Sequence, residues 1–340
     1  MDSILGSGIF KDCGTGSRCC SRSLVYDPRA LPSGQRFDSR SLALRSQWSK
    51  SRSSLRVLPM DETRKTSDAT LDGFVSLAHE LADAAAKITL KYFRTRIEVI
   101  DKLDLSPVTI ADQAAEEAMR ALILQRFPSH AVFGEEGGLT MPDSIAEYAW
   151  VLDPIDGTKS FITGKPVFGT LISLLHNGVP ILGIIDQPVL KERWLGVAGQ
   201  ATVLNNREIS TRSCHSLSSA YLYHAWYTTS PHLFDKLSEQ AFARVREEVK
   251  VPLYGCDCYA YGLLAAGHVD LVVESGLKPY DYLALVPVVE GAGGVITDWQ
   301  GNKLTWKPDF DEELIKTNVI AAGDSRVHRA ALGRLDCQAS

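Results

Sequence analysis

Residues 150–158 read Trp-Val-Leu-Asp-Pro-Ile-Asp-Gly-Thr. The apolar run Trp150-Val151-Leu152 predicts a short buried strand, and the two acids flanking Pro154-Ile155 come directly after it, with Gly157-Thr158 at the start of a helix. A turn needs no second acid and no Gly-Thr, so the stretch reads as chemistry built on a strand-to-helix junction. Two further segments have the same character: Gly134-Glu135-Glu136 follows the apolar run Ala131 to Gly134, and Pro279-Tyr280-Asp281 stands at the head of an apolar helix. Carboxylates placed where strands end and helices begin project into a cleft. Several hard oxygen ligands gathered there suit Mg²⁺ rather than zinc or copper. Asp153 is the natural bridge between two such ions, and the backbone N–H groups of Gly157 and Thr158 would offer an anion site.

Working outward, Leu71, Phe74, Val75, Ala78, Leu81, Ala82, Ala85, Ile88 and Tyr92 recur at three- and four-residue steps, which predicts one long amphipathic helix. A second helix is expected after Thr109, with Ala111, Ala114, Ala115, Ala118, Leu122 and Phe127 inward and Glu116, Glu117 and Arg120 outward. On this reading two helices precede any strand-rich region. Short apolar runs then dominate at 131–134, 150–152, 169–175, 181–185 and 194–197, and Asn177-Gly178 between two of them signals a hairpin. The second half predicts helices over 231–249, 259–266 and 281–290 and strands over 269–273, 294–297 and 319–322. This is a layered α/β chain in two halves, 68–200 and 201–335, with sheets sandwiched between helices.

The composition, 45% hydrophobic and 23% charged over 340 residues, excludes wholesale disorder and fibrous repeats. The only long uncharged stretch, Pro166 to Ile185, is broken by His176, Asn177-Gly178 and Pro180, so it is not a membrane span. Residues 1–60 carry ten Lys/Arg against four Asp, a net +6, whereas the remainder carries −11. That Ser-rich leader lacks an apolar core for secretion and reads as a disordered transit peptide for a plastid, with a mitochondrion second. The acidic body argues against a nucleic-acid partner. Seven cysteines form neither a disulfide framework nor a zinc pattern, and Cys256 and Cys258 read as packing residues with reduced thiols.

Gly-Glu-Glu, then Asp-Pro-Ile-Asp-Gly-Thr, then an aromatic-Asp pair before a helix ending at Gly293-Gly294 is an ordered, highly specific combination. It resembles the signature of the inositol monophosphatase family over most of the chain after residue 70. The resemblance implies a five-layered αβαβα sandwich of the inositol monophosphatase and fructose-1,6-bisphosphatase type, a lithium-sensitive phosphomonoesterase, two or three Mg²⁺ per site, and a homodimer. It matches Glu135, Asp153, Asp156, Asp281 and the carbonyl of Ile155 to metal ligands, and Asp112 to the acid that hydrogen-bonds Thr158. Glu135, Thr158, Asp112 and Asp104 are thereby the expected catalytic groups, with Gly157, Thr158 and Ser160 near the phosphate.

Tyr280 stands where inositol-specific members carry Trp, and Lys102 to Thr109 looks like a segment shared by 3′-phosphoadenosine and histidinol-phosphate phosphatases. The runs 156–164, 255–262 and 276–281 are similar to those of plant histidinol-phosphate phosphatases. Histidinol phosphate carries an ammonium and an imidazole, so its pocket should hold acids beyond the metal ligands. Asp257 and Glu274 are the candidates. Inositol or sugar phosphates, then 3′-phosphoadenosine 5′-phosphate, are the competing substrates. Asp257 as the N-cap of the 259–266 helix and Glu274 as a polar strand end are the bland alternatives.

Overall fold

The computed structural model describes residues 68–102, 107–143, 145–224, 236–307 and 316–336. The expected leader, 1–60, and Asp104 lie outside these residues. The first helix, α1 (Asp68–Tyr92), buries Phe74, Leu77, Ala78, Leu81, Ala82 and Ala85, the three- and four-residue spacing of its sequence. One short strand pair lies between the first and second helices, ahead of the strand-rich region. β1 (Val99–Asp101) and β2 (Pro107–Thr109) pair antiparallel, and β2 delivers Thr109 as the N-cap of α2 (Ile110–Arg126). Thr109 and Asp112 form a capping box there.

A large mixed sheet follows. Its strands are β3 (Ala131–Gly134), β4 (Gly138–Thr140), β5 (Tyr148–Asp156), β6 (Gly169–His176), β7 (Val179–Gln187), β8 (Glu192–Val197), β9 (Val203–Leu204) and β10 (Arg207–Glu208). They run in the order β10-β9-β8-β7-β6-β5-β3-β4, with β3 and β5 parallel and the other pairs antiparallel. The Asn177-Gly178 hairpin joins β6 to β7 with both residues at positive φ, 52° and 87°. α3 (Thr158–Ile162) sits between β5 and β6.

The second half supplies β11 (Tyr221–His224), α4 (Lys236–Glu248), β12 (Val251–Tyr254), α5 (Tyr259–Ala265), β13 (Leu271–Leu277), α6 (Pro279–Tyr282), α7 (Leu285–Gly291), β14 (Val295–Asp298), β15 (Thr317–Ala322) and α8 (Ser325–Leu335). Its strands form a five-stranded sheet in the order β12-β11-β13-β15-β14.

Strand alternation stacks these elements. Val132, Trp150, Leu152, Ile172, Leu174, Leu182 and Ile184 point to α1 and α2, while Ala131, Phe133, Val151, Leu171, Ile185 and Trp194 point to the opposite side, against α5, α6 and α7. Those helices pack in turn on Val272, Ile296, Val319 and Ala321 of the second sheet. The alternate residues Leu222, Leu271, Val273, Ile320 and Ala322 meet α4 and α8. The result is five layers, helix, sheet, helix, sheet, helix, as the resemblance implied.

Candidate active site

The strand expected over 150–152 continues to Asp156, so both acids of the Asp-Pro-Ile-Asp stretch belong to β5 itself. Residues three apart on a regular strand face opposite sides. Here Asp153 opposes Leu171 and Asp156 opposes Gly169, so one extra residue bulges out of β5 between them. The bulge brings both carboxylates to one side. Ile155, fully buried with Ala111, Phe161 and Phe168, anchors the bulge, and its N–H donates to Asp153 Oδ1 at 3.0 Å.

Gly157 then takes φ +83°, a conformation that an L-residue adopts at a cost, and a Cβ there would lie 2.7 Å from the Asp257 carboxyl carbon. This turn starts α3 at Thr158. The third acid, Asp281, is set by α6, whose first residue is Pro279. The Lys278 N–H donates to Asp281 Oδ2 at 2.7 Å, which fixes the carboxylate at the helix start. Asp153, Asp156 and Asp281 each bring a carboxylate oxygen within 4.8 Å of the others. Burial, then mutual repulsion and the charges of Glu135 and Asp257, push all three well above the usual carboxylate range.

Glu135, matched by resemblance to a metal ligand, lines the same cleft but is not one of that trio. Its Oε1 accepts from Lys102 Nζ at 2.9 Å, and Lys102 also donates to Glu136 at 2.7 Å. Burial works against the Lys102 charge, yet the two glutamates outweigh it and hold the ammonium protonated. Glu136 is itself pushed up to about 7 by burial and by Glu135.

Thr158 Oγ1 lies 3.2 Å from the Ile155 carbonyl and 3.4 Å from Asp112 Oδ1, so its single proton is shared between these acceptors. Asp112 Oδ2 accepts from Thr109 N and Oγ1, and burial raises the group to about 6. Ser160 donates to Asp257 Oδ2 at 2.5 Å. Asp257 is not a helix N-cap: Cys258 occupies that position, and the Asp257 side chain is buried over Gly157 with φ +46°. Glu274, on β13, is buried and accepts from Tyr261 Oη at 2.6 Å.

Glu135, Asp153, Ile155, Asp156, Gly157, Thr158, Asp257, Glu274 and Asp281 therefore line one cleft of about 170 Å³. Asp112 and Ser160 touch it through Thr158 and Asp257. Sequence reading missed Lys102, Tyr261 and the Cys258 N–H, which donates to Asp156 Oδ2 at 2.6 Å. A lone Lys, a lone Tyr and a backbone amide give no pattern to find them by. It also placed Glu116 outward, whereas that side chain is buried against the loop carrying Glu135. Cys256 and Cys258 are buried free thiols, as expected of packing residues.

The donor set is all oxygen, with buried like charges that only a bound cation or protons can offset, and this fits a hard divalent metal. Comparison with known proteins agrees with the geometry. The Inositol monophosphatase family model matches residues 70–337. The chloroplastic bifunctional phosphatase IMPL2 of Arabidopsis thaliana is 62% identical over 270 residues, 79% of this chain and 77% of that one. A histidinol-phosphatase of Chlorobaculum parvum is 35% identical over 67% of this chain and 87% of its own. Among solved structures, an inositol monophosphatase from Zymomonas mobilis is 47% identical and superposes with a TM-score of 0.67, covering 78% of this chain and 98% of that one. A family model spanning residues 70–337, phosphatase relatives above 30% identity and a solved inositol monophosphatase of the same architecture thus meet on this chain, and the chain belongs to the inositol monophosphatase family.

Proposed function

We propose that the protein is a Mg²⁺-dependent phosphomonoesterase whose preferred substrate is histidinol phosphate. The observation that carries the substrate is the pair of buried carboxylates, Asp257 and Glu274, in the cleft beyond the acids suited to metal. The hydroxyls of an inositol or sugar phosphate could be met by Glu274 alone, whereas an ammonium and an imidazole call for the second buried carboxylate that Asp257 supplies. The names of the histidinol-phosphatase relatives from Chlorobaculum parvum and Mycobacterium tuberculosis, the latter 36% identical, support the same reading.

Asp153, Asp156, Asp281, Glu135 and the Ile155 carbonyl would hold the ions. When bound, such ions supply positive charge to the phosphoryl oxygens and acidify a water. The chain's own residues orient the reaction. Thr158 Oγ1, donating to Asp112, accepts a hydrogen bond from the attacking water and aims its lone pair at phosphorus. Glu135 takes the released proton, and the backbone of Gly157 and Thr158 receives the phosphate. Solvent protonates the leaving alkoxide on the far side. Direct attack by water implies inversion at phosphorus and no phosphoryl-aspartate.

The proposal extends to plastid import directed by the basic leader, in keeping with the chloroplastic relative, and to a homodimer inhibited by lithium. Among the described residues no helix is long and apolar enough to cross a membrane. The test is kcat/KM for histidinol phosphate, inositol 1-phosphate and 3′-phosphoadenosine 5′-phosphate with Mg²⁺. Histidinol phosphate should lead, and Asp257→Asn should erode that lead. A lead for inositol 1-phosphate, or full turnover in excess chelator, overturns the reading.

A further inference from the structure

Glu116 lies on the predicted outward face of α2, yet it is 2% exposed. Its carboxylate is buried beneath the connection between β3 and β4. Oε2 accepts from the Glu136 N–H at 2.8 Å, and Oε1 accepts from the Gly137 N–H at 2.8 Å and from Arg120 Nε at 2.7 Å. Arg120 continues the brace: its guanidinium donates to the Val132 and Gly138 carbonyls and to Thr140 Oγ1. The three residues between the strands, Glu135, Glu136 and Gly137, are therefore held from below by one acid and one base of the same helix.

The glycines on either side of the two glutamates report how closely the acid approaches. A Cβ on Gly134 would lie 2.4 Å from the Glu116 carboxyl carbon, and a Cβ on Gly137 would lie 2.9 Å from Oε1. The backbone of Gly-Glu-Glu-Gly thus wraps a buried carboxylate, and the conformation that results turns Glu135 into the cleft. Two backbone N–H groups directed at one carboxylate are charge-assisted, so an amide of the same shape replaces an acceptor with a donor that faces donors.

We propose that Glu116 is the positioning residue of this site: it holds the Glu135–Gly137 turn in the conformation that lets Glu135 serve the metal centre. The inference rests on the reading of Glu135 as a metal ligand. Glu116 touches neither substrate nor ion and acts through the turn. Partners that orient a ligand in this way typically carry 10- to 100-fold in metal affinity.

The experiment measures Mn²⁺ binding to the full-length protein by calorimetry, alongside thermal unfolding, for wild type, Glu116→Gln, Gly137→Ala and Asp270→Asn. Gly137→Ala displaces the carboxylate without neutralising it, and covers the case in which Glu116→Gln fails to fold. Asp270 is an equally buried acid, bonded by Arg212 and the Tyr221 N–H in the second sheet, remote from the cleft. The expected result is a 10- to 100-fold rise in Kd for Mn²⁺ in Glu116→Gln and Gly137→Ala, with wild-type affinity in Asp270→Asn at comparable thermal destabilisation. Unchanged affinity in the Glu116 and Gly137 variants overturns the proposal. So does an equal loss in Asp270→Asn, which would make the effect one of general stability. Wild-type protein that binds no Mn²⁺ instead removes the metal reading on which it rests.

Discussion

Thr158 illustrates how much of this site depends on single atoms. Its hydroxyl has one proton and two acceptors within reach, Ile155 O and Asp112 Oδ1, and its lone pairs remain for a water. Thr158→Ala removes the oxygen while leaving α3 and its starting turn intact. We expect kcat to fall by roughly 10²–10⁴, the range of lost acid–base positioning, with a smaller change in KM. Steady-state kinetics on the best substrate decide this. A matching rise in KM with kcat preserved would instead make Thr158 a binding group. The residue itself was legible in the sequence because Gly-Thr follows two acids with no turn-forming reason to do so. Lys102 was not, since nothing in a lone lysine in a polar segment marks it as the partner of glutamates more than thirty positions on.

At the scale of elements, the bulge in β5 and the left-handed Gly157 convert a strand end into a site. Gly157→Ala meets two penalties: φ +83° costs an L-residue about 1 kcal/mol, and the new Cβ would press on Asp257 at 2.7 Å. Denaturant unfolding should show a loss on the order of 1–3 kcal/mol, the range for strained backbone at functional sites. Activity should fall with it, because Asp257 is displaced. An undisturbed stability would mean that the turn relaxes freely. Periodicity revealed α1 because every third or fourth residue is apolar, and Asn177-Gly178 revealed its hairpin because both residues tolerate positive φ.

Other elements escaped the sequence for equally physical reasons. The bulge is invisible to an alternation rule, since it is the point at which alternation fails. The helix expected over 281–290 divides into α6 and α7, because Pro287 has no N–H to give to the Leu283 carbonyl. Glu116 was assigned outward because a charge on a helix is solvated by default. The backbone donors of a turn twenty residues away, with Arg120 one helical turn on, give it buried partners.

For the whole molecule, the buried acids make metal and stability one question. In the metal-free protein Asp112 and Glu136 are raised to about 6 and about 7, chiefly by burial, and burial likewise raises Asp153, Asp156 and Asp281 well above the usual carboxylate range. The folded state therefore keeps protons that the unfolded chain releases near pH 4. The stability these groups contribute is complete below that pH and is lost as pH rises through the folded values. His130 and His224 have the opposite sign: burial lowers both to about 4, so their contribution grows from pH 4 to about 6.5 and is flat above it. Buried thiols such as Cys256, pushed up to about 12, begin to matter only above the ordinary thiol range of about 8.5.

Between pH 6.5 and 8 Glu136, raised to about 7, still has a slope, and it is downward. A divalent cation replaces the bound protons, so its stabilising effect must increase over the same interval, by roughly 1.4 kcal/mol per pH unit for each proton displaced. Thermal unfolding at four pH values between 6.5 and 8, in chelator and in saturating Mg²⁺, should show a falling Tm without the metal and a gap that widens with pH. Asp153→Asn removes one of the crowded charges. It should raise the metal-free Tm at pH 8 and abolish turnover, because a neutral amide would not supply the negative charge with which Asp153 would hold a divalent cation. A gap that stays constant with pH, or an Asp153→Asn protein less stable than wild type in chelator, would show that the carboxylates are neutralised by something other than a bound divalent cation.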